Sequence, residues 1–312
     1  MIEAIGLSKK YGDKVAVDNV SFTVQPGMVT GFLGPNGAGK STTMRMIVGL
    51  DRPTTGSVTV NGKQFAQHSA PLRVAGALLE AKGVHTGRNA YNHLLAMAAT
   101  HGIPTSRVDE VISMTGLDAV AGKRVGGFSL GMGQRLGIAA ALLADPAALV
   151  LDEPVNGLDP EGVLWVRQLL RSLAREGRTV LLSSHLMSEM AVTADHLIVL
   201  GKGRIIADAS MSSILAGTAN TRVRVRTPQA EAMINILRGP DVTVTLTTET
   251  DVIEVIGVPA SRIGEIAAAE GIIFHELSSV GASLEEAYMS LTQNVTEFNT
   301  SAITGTANKE NS

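Results

Sequence analysis

The residues best suited to chemistry lie in a glycine-rich stretch between an apolar run and a helical pattern. Glycines let successive backbone N–H groups point into one concavity, and a helix that begins there adds unpaired N–H groups and a dipole that favour negative charge. A lysine and a hydroxyl group at its end can then bind phosphate oxygens and Mg²⁺. The pattern predicts a site for a nucleoside triphosphate. The stretch comprises Gly34, Pro35, Asn36, Gly37, Ala38, Gly39, Lys40, Ser41 and Thr42.

A second candidate group is the pair of carboxylates Asp152 and Glu153, which follows the apolar run Ala147–Leu151. The carboxyl ends of parallel strands meet at one edge of a sheet, where phosphoryl-transfer sites are built. We expect Asp152 to hold Mg²⁺ and Glu153 to polarise the attacking water. The alternative is a pair of solvated acids at the start of a loop. Their place downstream of the phosphate loop favours the catalytic interpretation.

These residues require a parallel sheet with helices between its strands, and the sequence predicts one. Apolar runs of strand length alternate with helical patterns, which is typical of an α/β fold. A helical insertion is predicted over residues 87–144. The fold class is therefore an α/β P-loop NTPase core with an antiparallel β lobe at its start. The runs that predict strands in this core are Met1–Leu7, Val15–Val17, Val20–Val24, Met28–Leu33, Ser57–Val60, Val74–Leu79, Ala147–Leu151, Thr179–Ser183, His196–Leu200 and Arg204–Ala207.

A second, smaller domain is predicted after residue 216, where the composition changes. Strand, helix, strand, strand, helix and strand follow one another, which is the split βαβ plan of a ferredoxin-like α+β domain. Its last strand is predicted over Ile272–Leu277. Residues 294–312 are polar and rich in Thr and Asn, and we expect a disordered tail. The predicted domains are 1–216, 217–293 and 294–312.

Composition and charge limit the possible functions. The 312 residues include 26 Lys and Arg against 29 Asp and Glu, a net charge of −3. General nucleic-acid binders are usually strongly basic, so we expect no nucleic-acid partner. The chain has no cysteine, which excludes disulfides and thiolate metal sites. We see no signal-peptide pattern, and the longest apolar stretch, Leu136–Ala144, is shorter than the about 20 residues that cross a bilayer. We expect a cytoplasmic protein that meets a membrane through a partner.

Several motifs together resemble the ATP-binding cassette (ABC) proteins. Besides the phosphate loop and the two acids, Phe128–Arg135 resembles the LSGGQ signature and the Gln-Arg that follows it. Asn156–Asp159 resembles the D-loop, and Ser184-His185 resembles the H-loop. The motifs occur in the order and spacing of the family, over roughly the first two thirds of the chain.

The resemblance implies ATP and Mg²⁺ as cofactors and ATP hydrolysis as the reaction. Tyr11 would stack on adenine, and His185 would contact the γ-phosphate in its own subunit. Ser129 and the Gly131 backbone would contact the γ-phosphate held by a second ATPase subunit, with which we expect a homodimer. Asp159 would link the two sites. A separate transmembrane permease subunit would be driven by this cycle from the inner face of the cell membrane.

Three positions depart from the usual family pattern. Leu130 replaces a glycine and Met132 replaces a glutamine in the signature. Glu80 stands where most members have a metal-facing glutamine, and it could still bind Mg²⁺. Gly76–Glu80 and Ser283–Tyr288 resemble the antibiotic-resistance branch, the bacitracin- and daunorubicin-type exporters, in which an acid occurs at the position of Glu80. The alternative is a slow, decayed ATPase.

The resemblance thus predicts the ATP-hydrolysing subunit of an ABC transporter that exports a drug, a peptide antibiotic or a lipid-like substrate. The competing hypothesis is a soluble ABC ATPase that acts mechanically on ribosomes or DNA, but such chains usually carry two cassettes or long coiled-coil arms. A nucleotide-dependent binding module without turnover is a third hypothesis, which Glu153 disfavours. We expect the permease to meet residues Glu80–His93 and the helical insertion. For residues 221–292 a regulatory or dimer-bracing role is a hypothesis.

Overall fold

The computed structural model describes residues 1–80, 83–217, 222–280 and 283–292. They divide into two compact units, Met1–Ser210 with Leu291–Thr292, and Met211–Ser290. The predicted domain boundary after residue 216 stays a prediction, and the predicted tail 294–312 lies outside the described residues. Within the described residues, no helix combines the length and the hydrophobicity that a membrane span needs.

The elements of the first unit lie close to the predicted ones. Its strands are β1 (Ile2–Tyr11), β2 (Lys14–Val24), β3 (Val29–Leu33), β4 (Thr55–Val60), β5 (Ala75–Leu78), β6 (Ala148–Leu151), β7 (Thr179–Ser183), β8 (His196–Gly201) and β9 (Arg204–Ser210). Its helices are α1 (Lys40–Ile47), α2 (Pro71–Val74), α3 (Ala90–Thr100), α4 (Thr105–Met114), α5 (Leu130–Leu142), α6 (Pro160–Arg175) and α7 (Met187–Thr193). Short 3-10 turns lie at Phe65–Gln67, Asp118–Val120 and Val125–Gly127.

The central sheet has the strand order β5-β6-β7-β3-β8-β9. Neighbouring strands are parallel from β5 to β8, and β9 runs antiparallel to β8. A second, antiparallel sheet places β1 between β2 and β4. Buried residues of both sheets and of α1, such as Phe22, Phe32 and Met44, share one hydrophobic core. The predicted α/β core with an antiparallel β lobe is confirmed.

Helix α5 packs on β5 at two glycines. A Cβ atom on Gly76 would lie 1.9 Å from the carbonyl oxygen of Ala141, and a Cβ on Gly137 would lie 2.5 Å from Leu78 Cδ1. Helix and strand therefore approach more closely than a side chain at either position would allow. This contact fixes α5 against the strand next to β6.

The second unit follows the predicted βαββαβ order. The strands in this part of the chain are β10 (Arg222–Arg226), β11 (Thr243–Leu246), β12 (Val252–Ile256) and β13 (Glu276–Val280). The helices are α8 (Met211–Gly217), α9 (Ala230–Leu237), α10 (Ala260–Ala269) and α11 (Leu284–Thr292). The sheet has the order β11-β12-β10-β13 with antiparallel neighbours, and Val223, Met233 and Ile263 lie in its core.

Two predicted strand assignments are wrong. The strand predicted over Ile272–Leu277 lies at Glu276–Val280, because the chain first closes α10: the Ile272 N–H donates to the Ala267 carbonyl at 2.9 Å, and Gly271 has a φ of 67°. The two strands predicted on either side of Asn19 form the single strand β2. Asn19 takes a φ of 51° at an irregularity in the pairing with β1, so the strand bends without ending.

Candidate functional site

Three segments meet at the carboxyl edge of the central sheet. Strand β3 leads into the phosphate loop, β6 leads into Asp152 and Glu153, and β7 leads into Ser184 and His185. Because β6, β7 and β3 are adjacent and parallel, their carboxyl ends bring these segments together. The residues predicted separately from the phosphate loop and from the two acids therefore share one site.

The phosphate loop takes a backbone conformation that needs glycine. Gly37 and Gly39 have φ values of 81° and 103°. A Cβ on Gly39 would lie 2.6 Å from the carbonyl oxygen of Ala16, so this position is also closed sterically. Helix α1 begins directly after it, at Lys40, and the first turn of a helix leaves its N–H groups without intrahelical partners. The arrangement suits the binding of an anion.

Lys40 extends back into the loop that precedes it. Its Nζ donates to the carbonyl oxygens of Gly34 at 2.6 Å and Pro35 at 3.3 Å. Burial lowers the pKa of Lys40 below its usual value, and the nearby carboxylates of Glu153 and Asp152 act in the opposite direction. A positive charge is thus held inside the loop, close to both acids.

Ser41 and Asp152 form an oxygen pair at the start of α1. Ser41 Oγ donates to Asp152 Oδ2 at 2.6 Å, and Ser183 Oγ donates to the other carboxylate oxygen. Among the described residues no three His, Asp or Glu side chains cluster as a metal site. Mg²⁺ is usually held by one or two protein oxygens together with phosphate and water, so the hydroxyl–carboxylate pair fits this ion.

Glu153 has its main chain held from two sides. Its φ is 52°, an uncommon conformation for a residue other than glycine. Its N–H donates to Ser183 Oγ at 3.0 Å, and its carbonyl oxygen accepts from Gln134 Nε2 at 2.6 Å and from the Asn156 N–H at 3.1 Å. Such strain persists where the surrounding contacts impose it and often marks a functional site.

His185 lies against Glu153. Its Nδ1 is 2.6 Å from Glu153 Oε2, and its backbone N–H donates to the same oxygen at 3.2 Å. The structure therefore joins two residues that the sequence predicts for one site but separates by a helix and a strand. The carboxylate is therefore oriented by His185, in the segment after β7.

Tyr11 is anchored beside α1. Its hydroxyl donates to Asp51 Oδ2 at 2.7 Å, and Asp51 also pairs with Arg45 Nε at 2.8 Å. The hydrogen bond with Asp51 is the main reason why the pKa of Tyr11 is raised, and Thr42 also interacts with the hydroxyl. The ring is 48% exposed. A half-exposed aromatic residue is thus tethered next to the end of the phosphate loop.

The signature residues lie at the start of α5. Ser129 is exposed and caps the helix, its Oγ accepting from the Met132 N–H at 3.2 Å. Leu130 lies over Gly157, because a Cβ on Gly157 would meet Leu130 Cδ2 at 2.3 Å. The leucine that replaces the usual glycine therefore fits against a glycine of the segment Asn156–Asp159.

Gly131 and Asp159 flank the same contact. A Cβ on Gly131 would lie 3.0 Å from the Gly157 carbonyl oxygen, so this position too is tightly packed. Asp159 caps α6, its Oδ1 accepting from the Gly162 N–H at 2.9 Å. The start of α5 thus packs against the segment that precedes α6.

Glu80 lines a cavity of about 180 Å³ that Asp152 and Glu153 also line. Tyr11, Ser129 and Asp159 are not among the residues that line it. The lining residues are Leu79, Glu80, Leu130, Gln134, Asp152, Glu153 and Asn156.

The sequence did not predict a role for Ser183 or Gln134 in the site. Ser183 bonds to both acids, and Gln134 bonds to the Glu153 carbonyl. The sequence does contain a pattern at each position. Ser183 ends a buried, mostly apolar strand, and Gln134 occupies a helical position among apolar residues. Neither pattern identifies the partner, because each contact joins segments far apart in the chain.

Three parts of the chain match known family models. Residues 17–156 match the family model described as ABC transporter. Residues 124–191 match a model described as an AAA domain, putative AbiEii toxin, type IV TA system. Residues 221–285 match a domain of unknown function.

Curated relatives extend the match. The bacitracin transport ATP-binding protein BcrA of Bacillus licheniformis is 43% identical over 209 residues, which cover 66% of this chain and 68% of BcrA. The lantibiotic transport ATP-binding protein SrtF of Streptococcus pyogenes is 36% identical over 206 residues, 66% of this chain and 89% of SrtF. The uncharacterized ABC transporter ATP-binding protein YdbJ of Bacillus subtilis (strain 168) is 34% identical over 290 residues, 92% of this chain and 94% of YdbJ.

Solved structures share the fold of about two thirds of the chain or more. A structure of an ATP-binding subunit of an ABC transporter matches with a TM-score of 0.64 and 26% identity, over 70% of this chain and 92% of that one. The dimeric bacterial ABC transporter cassette MJ0796 matches with a TM-score of 0.63 and 24% identity, over 68% of this chain and 99% of the cassette. The chain belongs to the ABC transporter family, as an ATP-binding and ATP-hydrolysing protein of the branch that includes the bacitracin and lantibiotic transport ATP-binding proteins.

Proposed function

We propose that this chain is the ATPase subunit that drives a separate membrane permease, which exports a drug, a peptide antibiotic or a lipid-like substrate. The observation that carries the proposal is the convergence of Lys40, the Ser41–Asp152 pair and the Glu153–His185 pair at one sheet edge. The names of BcrA and SrtF, which refer to transport of bacitracin and a lantibiotic, support the substrate class.

ATP binds with its phosphates on the loop from Gly34 to Thr42 and its adenine on Tyr11. Lys40 exchanges its bonds to the loop carbonyls for phosphate oxygens, and the N–H groups at the start of α1 bind the same anion. Ser41 and Asp152 would hold Mg²⁺, and Glu80, which lines the same cavity as both acids, would be a further ligand. The ion, when bound, supplies charge neutralisation to the phosphates.

Hydrolysis is an in-line attack of water on the γ-phosphate: a bond forms from the water oxygen to the γ-phosphorus, the bond from this phosphorus to the β–γ bridging oxygen breaks, and ADP leaves with that oxygen. Glu153 orients this water and accepts its proton, while Lys40 and the backbone N–H groups stabilise the charge that develops on the phosphoryl oxygens. His185 holds the Glu153 carboxylate through two hydrogen bonds and contacts the γ-phosphate. Leu130, Met132 and Glu80 leave these groups in place.

Two copies close around two ATP molecules. Ser129 is exposed at the start of α5, which presents its hydroxyl and the N–H groups of the first helical turn to a second copy. Ser129 and Gly131 complete the nucleotide site of that copy, and Asp159 connects the two sites. The assembly is a symmetric homodimer, peripheral on the inner face of the membrane.

The test of hydrolysis is a Glu153→Gln variant of the full chain, with Glu161→Gln, an exposed acid at the start of α6, as the matched control. We expect hydrolysis to fall by roughly 10²–10⁴-fold in Glu153→Gln, with ATP binding retained. Glu161→Gln should keep the full rate. Equal rates in both variants would refute the role of Glu153.

The test of the permease uses purification from membranes. We expect the chain to copurify with a transmembrane subunit, and Arg88→Glu, an exposed residue within Glu80–His93, to release it without loss of basal ATPase activity. Residues 81–82 of this stretch lie outside the described part of the chain. Arg175→Glu, an exposed charge reversal on α6, is the control. A complex that survives Arg88→Glu would argue against this coupling surface.

A further inference from the structure

A buried glutamine on α5 contacts the main chain of Glu153. Gln134 is 3% exposed, and its Nε2 donates to the Glu153 carbonyl oxygen at 2.6 Å, across a separation of 19 residues in sequence. Ser129, which caps the same helix, precedes it by little more than one turn. One side chain thus connects the helix that begins at the signature to the main chain of Glu153, the residue that bears the predicted catalytic carboxylate.

Packing does not account for a glutamine at this position. Its other amide atom, Oε1, is buried and has no hydrogen-bond partner within the part of the chain that the structure describes. An unpaired buried oxygen destabilises a fold, whereas a methionine of similar shape would fill the same space without that penalty. The glutamine therefore lowers the stability of the fold relative to a methionine. Its hydrogen bond to Glu153 points to a role other than packing.

The contact falls on the main chain of Glu153, which takes an uncommon conformation. The residue has a φ of 52°, and the Asn156 N–H also donates to its carbonyl oxygen, at 3.1 Å. Removing the Gln134 bond therefore leaves this oxygen with a partner. The expected consequence is a change in the orientation of the peptide after Glu153, without a loss of folding.

We propose that Gln134 is a positioning residue, which fixes the orientation of Glu153 for hydrolysis and ties it to α5. It acts through Glu153 and touches neither the nucleotide nor the water. The inference rests on the proposed function, in which Glu153 orients the attacking water.

The test is Gln134→Met in the full chain, with Gln168→Met, the same change at an exposed position of α6, as the control. We expect single-turnover ATP hydrolysis to slow by about 10- to 100-fold, because a small misplacement of a catalytic group is costly. The ATP dissociation constant should stay unchanged and the melting temperature should not fall. A merely structural role would instead lower the melting temperature with the rate.

A second variant decides the matter if Gln134→Met does not fold. In Gln134→Glu a protonated carboxyl group can donate to the Glu153 carbonyl, whereas a carboxylate cannot. The rate of this variant relative to the unsubstituted protein should therefore rise as the pH falls. A relative rate that is low and does not change with pH would overturn the proposal.

Glu153→Gln, measured in parallel, separates this inference from the proposed function. If Glu153→Gln is slow while Gln134→Met matches Gln168→Met, the positioning role fails and the function stands. If Glu153→Gln hydrolyses ATP at the full rate, the role of Glu153 fails and the inference fails with it.

Discussion

At the scale of the residue, the site is held together by hydroxyl groups that bond to carboxylates. Asp152 accepts from Ser41 on one oxygen and from Ser183 on the other, and Ser183 also accepts the Glu153 N–H. Hydrogen bonds to a carboxylate are among the stronger ones in proteins and hold its orientation. The two acids are therefore positioned by the end of β7 as well as by their own strand.

Lys40 makes ATP binding sensitive to alkaline pH. Burial lowers its pKa, so the ammonium group loses its proton at a lower pH than a free lysine, whose usual pKa is about 10.4. ATP affinity should be highest below this lowered pKa and should decline as the pH rises through it. Titration with a fluorescent ATP analogue from pH 7 to about 10 measures it. Lys40→Arg, which stays charged, should not decline; a parallel decline would contradict the assignment.

The lowered pKa of Lys40 also makes the free energy of unfolding depend on pH. Between the lowered pKa and about 10.4 the unfolded state binds more protons at this position than the folded state does. The contribution of Lys40 to the free energy of unfolding therefore rises with pH in this interval. An ATP affinity that declines only above the pKa of free lysine would show that Lys40 is not desolvated.

Ser183→Ala tests the hydroxyl that joins the two acids. The change leaves the Glu153 N–H without its acceptor and removes a donor from Asp152, so the free energy of unfolding should fall by about 1–3 kcal/mol. ATP hydrolysis should slow with it. Urea unfolding measures the stability, and Ser172→Ala, an exposed position on α6, should stay within about 0.5 kcal/mol. Equal stability of the two variants would show that the Ser183 hydroxyl does not stabilise the fold.

At the scale of the element, the packing of α5 on β5 determines the position of the signature residues. Gly76 lets the strand pass directly beneath the Ala141 carbonyl. Since α5 also carries Ser129 and Gln134, its placement affects both the proposed dimer contact and Glu153. A shift of this helix would disturb two functions at once.

Gly76→Ala should therefore be severe. Its Cβ would lie 1.9 Å from a backbone oxygen, which cannot rotate away as a side chain can. Overpacking typically costs about 1–3 kcal/mol, and we expect the upper part of this range or more, together with slower ATP hydrolysis. Thermal unfolding measures the loss. The control is Gly122→Ala, where among the described residues no atom lies within 4 Å of the added Cβ; similar melting temperatures would contradict the close packing.

Sequence patterns predict local features of the fold and miss contacts between distant segments. The phosphate loop is predictable because its glycines, Lys40 and Ser41 are consecutive and serve one backbone shape. The bond from Gln134 to Glu153 is not predictable, because it depends on how α5 packs. The wrong position predicted for the last strand, β13, has a similar cause. Ile272 is apolar because it packs in the core, although it belongs to the turn after α10.

At the scale of the whole molecule, the residues of the candidate nucleotide site belong to the first unit, and the second unit has a core of its own. We propose that the second unit has a regulatory or dimer-bracing role. Its position after the last strand of the ATPase core motivates the proposal.

Deletion of residues 218–312 tests that role. We expect ATP-dependent dimerisation to weaken or the ATPase rate to change, while ATP binding persists in the remaining chain. Analytical ultracentrifugation and steady-state hydrolysis measure the two effects. Dimerisation, hydrolysis and antibiotic resistance that all match the full chain would refute the proposal.

The central claim is that each nucleotide site draws its phosphate loop from one copy and its signature serine from another. The most direct measurement mixes two variants, Lys40→Ala and Ser129→Ala, each of which should be nearly inactive alone. A mixed dimer contains one intact site, so the mixture should regain up to about a quarter of the ATPase rate of the unsubstituted protein. A mixture no more active than the sum of its components would contradict the claim.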